Sequence, residues 1–207
     1  DLSNEDVLRE VSLALAQPRS WNAGPLLAVE ASAGHASQPV INPARKDDVV
    51  GSVTEATAED VNNALNAASQ FAMDWQTTEP LQRAACLDRA ADLFETHKLE
   101  LMALAVREAG KSLPNAIAEV REAVDFLRYY AVQVRGSTNT LALGPVTCIS
   151  PWNFPLAIFT GQAAAALAAG NVVLAKPAEQ TPLIAHRAVE LLHEAGALSS
   201  RRRRSWL

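Results

Sequence analysis

Between residues 146 and 196 the sequence twice sets a short apolar run ahead of a longer helical stretch, and few folds accommodate that order. Residues 146–150 have the length and apolarity of a buried strand. A helix from about residue 156 to 169 follows and Gly170 ends it. Residues 172–175 supply a second strand, after which Thr181 caps and Pro182 opens a helix running to Gly196. Strand, helix, strand and helix with connections this short predict a parallel sheet with right-handed crossovers. In such sheets ligands bind outside the carboxyl ends of the strands. Those ends are Ser150-Pro151-Trp152-Asn153-Phe154-Pro155 and Lys176-Pro177-Ala178-Glu179, so the two segments should share one edge. Both combine rigid prolines with polar groups, which is how a chain fixes side chains against a ligand. The glycine-rich dinucleotide fingerprint is absent, so the pattern alone makes this edge a candidate nucleotide site and no more.

Upstream the pattern is mostly helical. Residues 3–16 read as a helix with Ser3 as cap and Val7, Val11 and Ala14 on one face. Residues 17–39, rich in Pro, Gly, Ser and Ala, read as a connector. Val40-Ile41, Val49-Val50 and Val53 are strand candidates around the turn signals Asn42-Pro43 and Asp47-Asp48. Four helices follow. Thr57 caps the first, with Val61, Leu65, Ala68, Ala72 and Trp75 inward. Thr78 and Pro80 open the second, with Ala84, Leu87, Ala91 and Phe94 inward. Gly110 stops the third. Ser112 and Pro114 start the fourth, with Ile117, Val120, Val124, Leu127, Ala131 and Val134 inward. Such stripes are read as core, without chemistry. A polar loop over 136–140 separates them from the strand–helix unit.

The balance of 49% hydrophobic and 20% charged residues in 207 is that of a globular chain, long enough for one large domain or two small ones. The longest apolar stretches, such as 163–169, fall short of a membrane span. Glu5, Asp6, Arg9 and Glu10 interrupt any leader-like run. The two cysteines, Cys86 and Cys148, lack metal-ligand spacing, and the four histidines do not cluster with them. No metal is expected, and a reduced, cytoplasmic protein is. Cys86 lies within a helix and Cys148 within an apolar strand, so neither is expected to act as a nucleophile. Four arginines at 201–204 mask the acidity of a body whose net charge is −5 even with them, and a nucleic-acid role is not expected. The chain opens on Asp1, as expected of a segment from inside a longer reading frame. Residues 197–207 show no strand alternation and read as an aberrant or disordered basic tail.

Specific segments carry a resemblance. Glu108-Ala109-Gly110-Lys111-Ser112, Arg128-Tyr129-Tyr130-Ala131, Gly144-Pro145-Val146, Ile149-Ser150-Pro151-Trp152-Asn153-Phe154-Pro155 and Gly170-Asn171-Val172-Val173-Leu174-Ala175-Lys176-Pro177-Ala178-Glu179 occur in the order found in the aldehyde dehydrogenase superfamily, and residues 40–196 resemble its amino-terminal part. The runs 117–130 and 155–162 are more specifically similar to the L-glutamate γ-semialdehyde (1-pyrroline-5-carboxylate) dehydrogenases that form one half of bifunctional bacterial proline utilization proteins. The resemblance implies an α/β chain with the amino-terminal part of the aldehyde dehydrogenase fold. Residues 1–39 would be an arm or linker with one helix, and 40–143 the strands and helices of the amino-terminal region. Residues 144–196 would begin the NAD-binding domain with the first βαβα of a Rossmann-like parallel sheet, truncated thereafter.

It also implies roles. Asn153 matches the asparagine whose amide holds the oxyanion formed when a cysteine thiolate attacks the aldehyde. Lys176 and Glu179 match the pair that binds the adenosine ribose of NAD, with Ala178 beside them, and Ile149, Ser150, Pro151 and Trp152 would line the cofactor groove. Glu122 and Phe154 match the carboxylate and aromatic that contact the semialdehyde substrate. Read from the residues alone, Asn153 could instead cap the next helix, Lys176–Glu179 could be a solvated pair, Ile149, Ser150 and Trp152 could pack in the core, and Glu122 could be a plain surface carboxylate. The family's cysteine, general-base glutamate and glycine-rich turn fall beyond residue 207, so this fragment is expected to be inactive alone. When complete, the enzyme is expected to be a homo-oligomer fused behind a proline dehydrogenase half. Another semialdehyde dehydrogenase, or a non-catalytic binding or assembly module derived from the fold, are the alternatives.

Overall fold

A computed structural model describes residues 3–17, 19–27, 36–137 and 141–196. The end of the expected polar loop, much of the connector and the basic tail lie outside these residues. Helix α1 (Glu5–Ala16) is capped by Asn4 and not, as expected, by Ser3. The Asn4 Oδ1 accepts from the amides of Asp6 at 2.9 Å and Val7 at 3.3 Å. The expected connector contains a strand, β1 (Trp21–Ala23), which joins β2 (Ser37–Ile41) and β3 (Val49–Thr54) in one sheet of order β1-β3-β2. β1 runs parallel to β3 with Trp21 opposite Gly51, where a Cβ would collide with the Trp21 carbonyl. Only glycine permits that approach. β2 and β3 form an antiparallel hairpin, closed by Asn42, whose amides donate to the Asp48 carbonyl at 3.0 Å and the Asp48 carboxylate at 2.9 Å.

Four helices follow: α2 (Ala58–Gln76), α3 (Pro80–Thr96), α4 (Lys98–Ala109) and α5 (Leu113–Arg135). Thr57 and Asp60 form a reciprocal capping box at the start of α2. Gly110 ends α4 in the left-handed region with φ 66°. The expected stripes of α3 and α5 are buried, apart from the half-buried Ile117, with Leu87, Phe94, Leu127 and Ala131 almost wholly enclosed. The first half of α2 departs from expectation: Ala68 and Trp75 are buried, but Val61 and Leu65 are 50% and 43% exposed. From α4, Arg107 takes both oxygens of Asp48 at 2.6 and 3.1 Å and the Arg19 carbonyl at 2.6 Å, so the hairpin and the approach to β1 are fastened to the helical layer. Together with the Asn42 amide, Arg107 holds the Asp48 carboxyl down at about 2.

The last unit is β4 (Pro145–Ile149), α6 (Ala157–Ala168), β5 (Val172–Lys176) and α7 (Pro182–Glu194). β4 and β5 are parallel as expected, in register from Pro145 opposite Val172 to Ile149 opposite Lys176. α6 is apolar on all sides because it lies between α5 and this strand pair. Its Gly161 admits the Phe126 ring of α5, which an added Cβ would strike.

The amino ends of α6 and α7 are closed from the helical layer. Thr181 occupies the cap position of α7 but its side chain makes no cap bond. Glu108 takes that place, its carboxylate accepting from Leu183 N at 2.6 Å and Ile184 N at 2.9 Å. At α6, the Glu119 Oε2 accepts from Leu156 N at 3.2 Å and Ala157 N at 3.0 Å. At the other end of α6, the buried Arg83 donates to the Ala168 carbonyl at 2.9 Å. No described helix is long and apolar enough to cross a membrane.

Burial pushes the Glu108 carboxyl up to about 7, against the lowering effect of its two amide donors. The folded chain therefore holds this proton more tightly than the unfolded chain, whose ordinary value is 4.5. Stability from this group is full below that ordinary value and is lost as pH rises through about 7. Between about pH 5 and about pH 8 the urea midpoint should lose more in the parent chain than in the titration-silent Glu108→Gln, while His186 and His193, whose burial lowers them, contribute an opposing rise common to both. An equal slope in both proteins would contradict this assignment.

Candidate functional site

The carboxyl ends of β4 and β5 come together as the sequence predicts. Ile149 and Lys176 are register partners, and Ser150 N donates to the Lys176 carbonyl at 3.1 Å, so the two segments leave the sheet side by side. Strand alternation then sorts the side chains. Thr147, Ile149, Leu174 and Lys176 face an open groove of about 720 Å³, which Val61 and Leu65 of α2 also line. This accounts for the exposure of those two residues, which the helical stripe alone assigned to the core. Ala178 and Glu179 line the same groove.

Ser150, Pro151 and Trp152 were expected in that groove and are not among its lining residues. Ser150 follows the buried face of the strand with Cys148, and its hydroxyl donates to Gln162 Oε1 at 3.3 Å. Trp152 lies on the loop beyond the strand end, 56% exposed. Asn153 is exposed on the same loop. It does not cap α6, because Glu119 accepts the amides there. The Phe154 ring lies 4.5 Å from Lys111 Nζ, and that ammonium lies 3.0 Å from Glu119 Oε1. Glu122 is exposed on α5, one turn beyond Glu119.

At the groove, Lys176 Nζ lies 3.6 Å from Glu179 Oε1, both side chains largely exposed. Such a pair adds little stability, and its ammonium and carboxylate remain accessible to a ligand. The groove volume falls within the roughly 300–1,000 Å³ of small-molecule sites. Its apolar walls suit a flat ring, and the charged pair suits the hydroxyls of a sugar, so the residues present fit a dinucleotide. A diphosphate would not sit at the amino ends of α6 or α7, the usual anion sites, because Glu119 and Glu108 occupy them. Among the described residues no three His, Cys, Asp or Glu side chains gather to hold a metal ion.

Glu108, Glu119 and Lys111 escape a reading of the sequence as site-forming residues. Capping boxes are found three residues apart, whereas Glu108 and Glu119 serve amides 75 and 38 positions away. For Glu108 and Lys111 the available signal is their place within a segment that carries the family resemblance.

The geometry, with polar loops at the carboxyl ends of two parallel strands and a groove beside them, is that of a candidate nucleotide site in an α/β fold. Residues 29–198 match the aldehyde dehydrogenase family, and the chain belongs to it. The bifunctional protein PutA of Escherichia coli (strain K12) is 57% identical over 201 residues, covering 95% of this chain and 15% of that protein. A 1-pyrroline-5-carboxylate dehydrogenase of Anoxybacillus flavithermus is 43% identical over 171 residues, covering 75% of this chain and 33% of that protein. Among solved structures, 1-pyrroline-5-carboxylate dehydrogenase from Thermus with bound NAD superposes with a TM-score of 0.84 at 32% identity, over 93% of this chain and 41% of that one. Proline utilization A from Bdellovibrio bacteriovorus gives 0.86 at 31%, over 95% and 22%. The chain thus spans well under half the length of each of these relatives.

The surroundings of both cysteines disfavour the thiolate. Both are buried, and burial pushes both thiols up from their ordinary value, at Cys86 against the opposing pull of Arg89. In native buffer near neutral pH both should react with a thiol reagent far more slowly than in urea. A native thiol that reacts as fast as the unfolded chain would contradict the assignment.

Proposed function

We propose that this chain is the front portion of an NAD-dependent aldehyde dehydrogenase that oxidises L-glutamate γ-semialdehyde to L-glutamate in proline breakdown, and that in the complete protein it follows a proline dehydrogenase half. The observation that carries the reading is the pairing of the Asn153 loop with the Lys176–Glu179 segment across one parallel strand pair. The likeness to PutA over 95% of the chain supports it. Two unpaired thiols accord with a cytoplasmic setting, and the complete enzyme is proposed to be a homo-oligomer.

In this reading the groove beside Ile149 takes the cofactor, and Ala178 lies at the ribose end with Lys176 and Glu179. NAD supplies the hydride acceptor. The Glu179 carboxylate accepts from ribose hydroxyls and disfavours a phosphate in their place, which selects NAD over NADP. Ser150, turned to Gln162, and the stiff Pro151 and Pro155 hold the loop rather than touch the cofactor, while Trp152 screens its edge. Asn153 donates its neutral amide N–H to the oxygen that gains charge when the aldehyde carbon is attacked. The attacking thiolate comes from a residue other than Cys86 or Cys148. Phe154 packs on the substrate's carbon chain and Glu122 meets its ammonium group.

In the complete enzyme, Asn153→Ala should lower kcat roughly 10²–10³-fold with NAD affinity little changed. Normal steady-state turnover would remove Asn153 from the reaction. Separately, Glu179→Ala should narrow the preference for NAD over NADP in kcat/KM; a ratio equal to that of the parent would end the ribose assignment.

A further inference from the structure

We propose that Lys111 and Glu119 are positioning residues that fix the loop bearing Asn153 and Phe154, a role that rests on the reading of that loop as the reaction site. The loop is short and both its ends are tied. Upstream, Ser150 is fixed through its amide to Lys176 and through its hydroxyl to Gln162. Downstream, Leu156 and Ala157 donate to Glu119 Oε2. Pro151 and Pro155 remove φ freedom at either end. Between them Trp152, Asn153 and Phe154 stand exposed.

Lys111 links that exposed stretch to its anchor. Its Nζ lies 3.0 Å from Glu119 Oε1 and 4.5 Å from the Phe154 ring centroid. One ammonium therefore joins the carboxylate that closes α6 to the aromatic ring beside Asn153. Glu119 is almost wholly buried and the Lys111 side chain only 14% exposed. A carboxylate so enclosed needs its charge met, and two amides and one ammonium meet it here. Lys111 is itself well placed, since it follows the left-handed Gly110 and its amide donates to the Ala105 carbonyl at 3.1 Å. A mostly covered cation against an aromatic face favours one orientation of that ring over the others, although the ring itself is 40% exposed. Capping alone would need only Glu119. The second contact, to Phe154, carries that order into the part of the loop where chemistry is proposed.

Hydrogen exchange and steady-state kinetics on the complete enzyme test this together. Lys111→Met keeps the stem and removes the charge. It should speed exchange of the Leu156 and Ala157 amides and lower kcat roughly tenfold, as a small misplacement of a reacting group does. KM for NAD should stay within about twofold, and Lys111→Arg should recover most of the loss. In an Asn153→Ala background Lys111→Met should cost nothing further in kcat, because the group it positions is gone. Full additivity of the two losses, or unchanged exchange at Leu156 and Ala157, would overturn the proposal. Normal kcat in Asn153→Ala alone would instead overturn the oxyanion reading. Faster exchange at Leu156 and Ala157 in Lys111→Met would still support the clamp in that case, and unchanged exchange would still refute it.

Discussion

Two buried carboxylates organise this chain. Glu108 at the end of α4 and Glu119 in α5 reach across to the amino ends of α7 and α6. A helix start leaves several amides without partners, and neither α6 nor α7 supplies a side-chain cap of its own. The parallel unit is therefore completed by the helical layer. Arg83 repeats the logic with opposite charge at the far end of α6. Each of the loops after β4 and β5 is thus held at both ends, by the strand pair before it and by a helix capped by a distant carboxylate after it.

That arrangement decides how the edge of the sheet can be used. In many nucleotide-binding sheets the helix amino end receives the phosphates. Here those ends are already filled by protein carboxylates, and the groove opens instead against the sheet face, between Ile149 and the uncovered Val61 and Leu65. In the two loops that follow β4 and β5, proline stands where a phosphate-wrapping loop would carry glycine, and the helix ends beyond them are sealed. The stiff Pro151 and Pro155 serve a loop whose task is to hold side chains still.

Much of this is legible in the sequence wherever the cause is local. The stripes of α3 and α5, the αL stop at Gly110, the Thr57 cap and the parallel pairing of β4 with β5 all follow from period, capping chemistry and connection length. The departures are mostly non-local. β1 is three residues long, and it exists because Gly51 lets it approach β3. Val61 and Leu65 belong to a helical stripe whose first half faces a groove. Ser150 sits in a recognised motif, yet alternation turns it away from that groove to Gln162. Asn4, one position past Ser3, has the longer side chain that reaches two amides at once.

If the carboxyl edge of β4 and β5, with its helix ends sealed, is the dinucleotide site, a crystal structure of the complete enzyme with NAD will show it. The adenosine ribose should lie within hydrogen-bonding distance of Lys176 and Glu179. The diphosphate should lie clear of the Leu156, Ala157, Leu183 and Ile184 amides, with Glu108 and Glu119 still in place. A diphosphate bound to those amides, with either glutamate displaced, would contradict this arrangement.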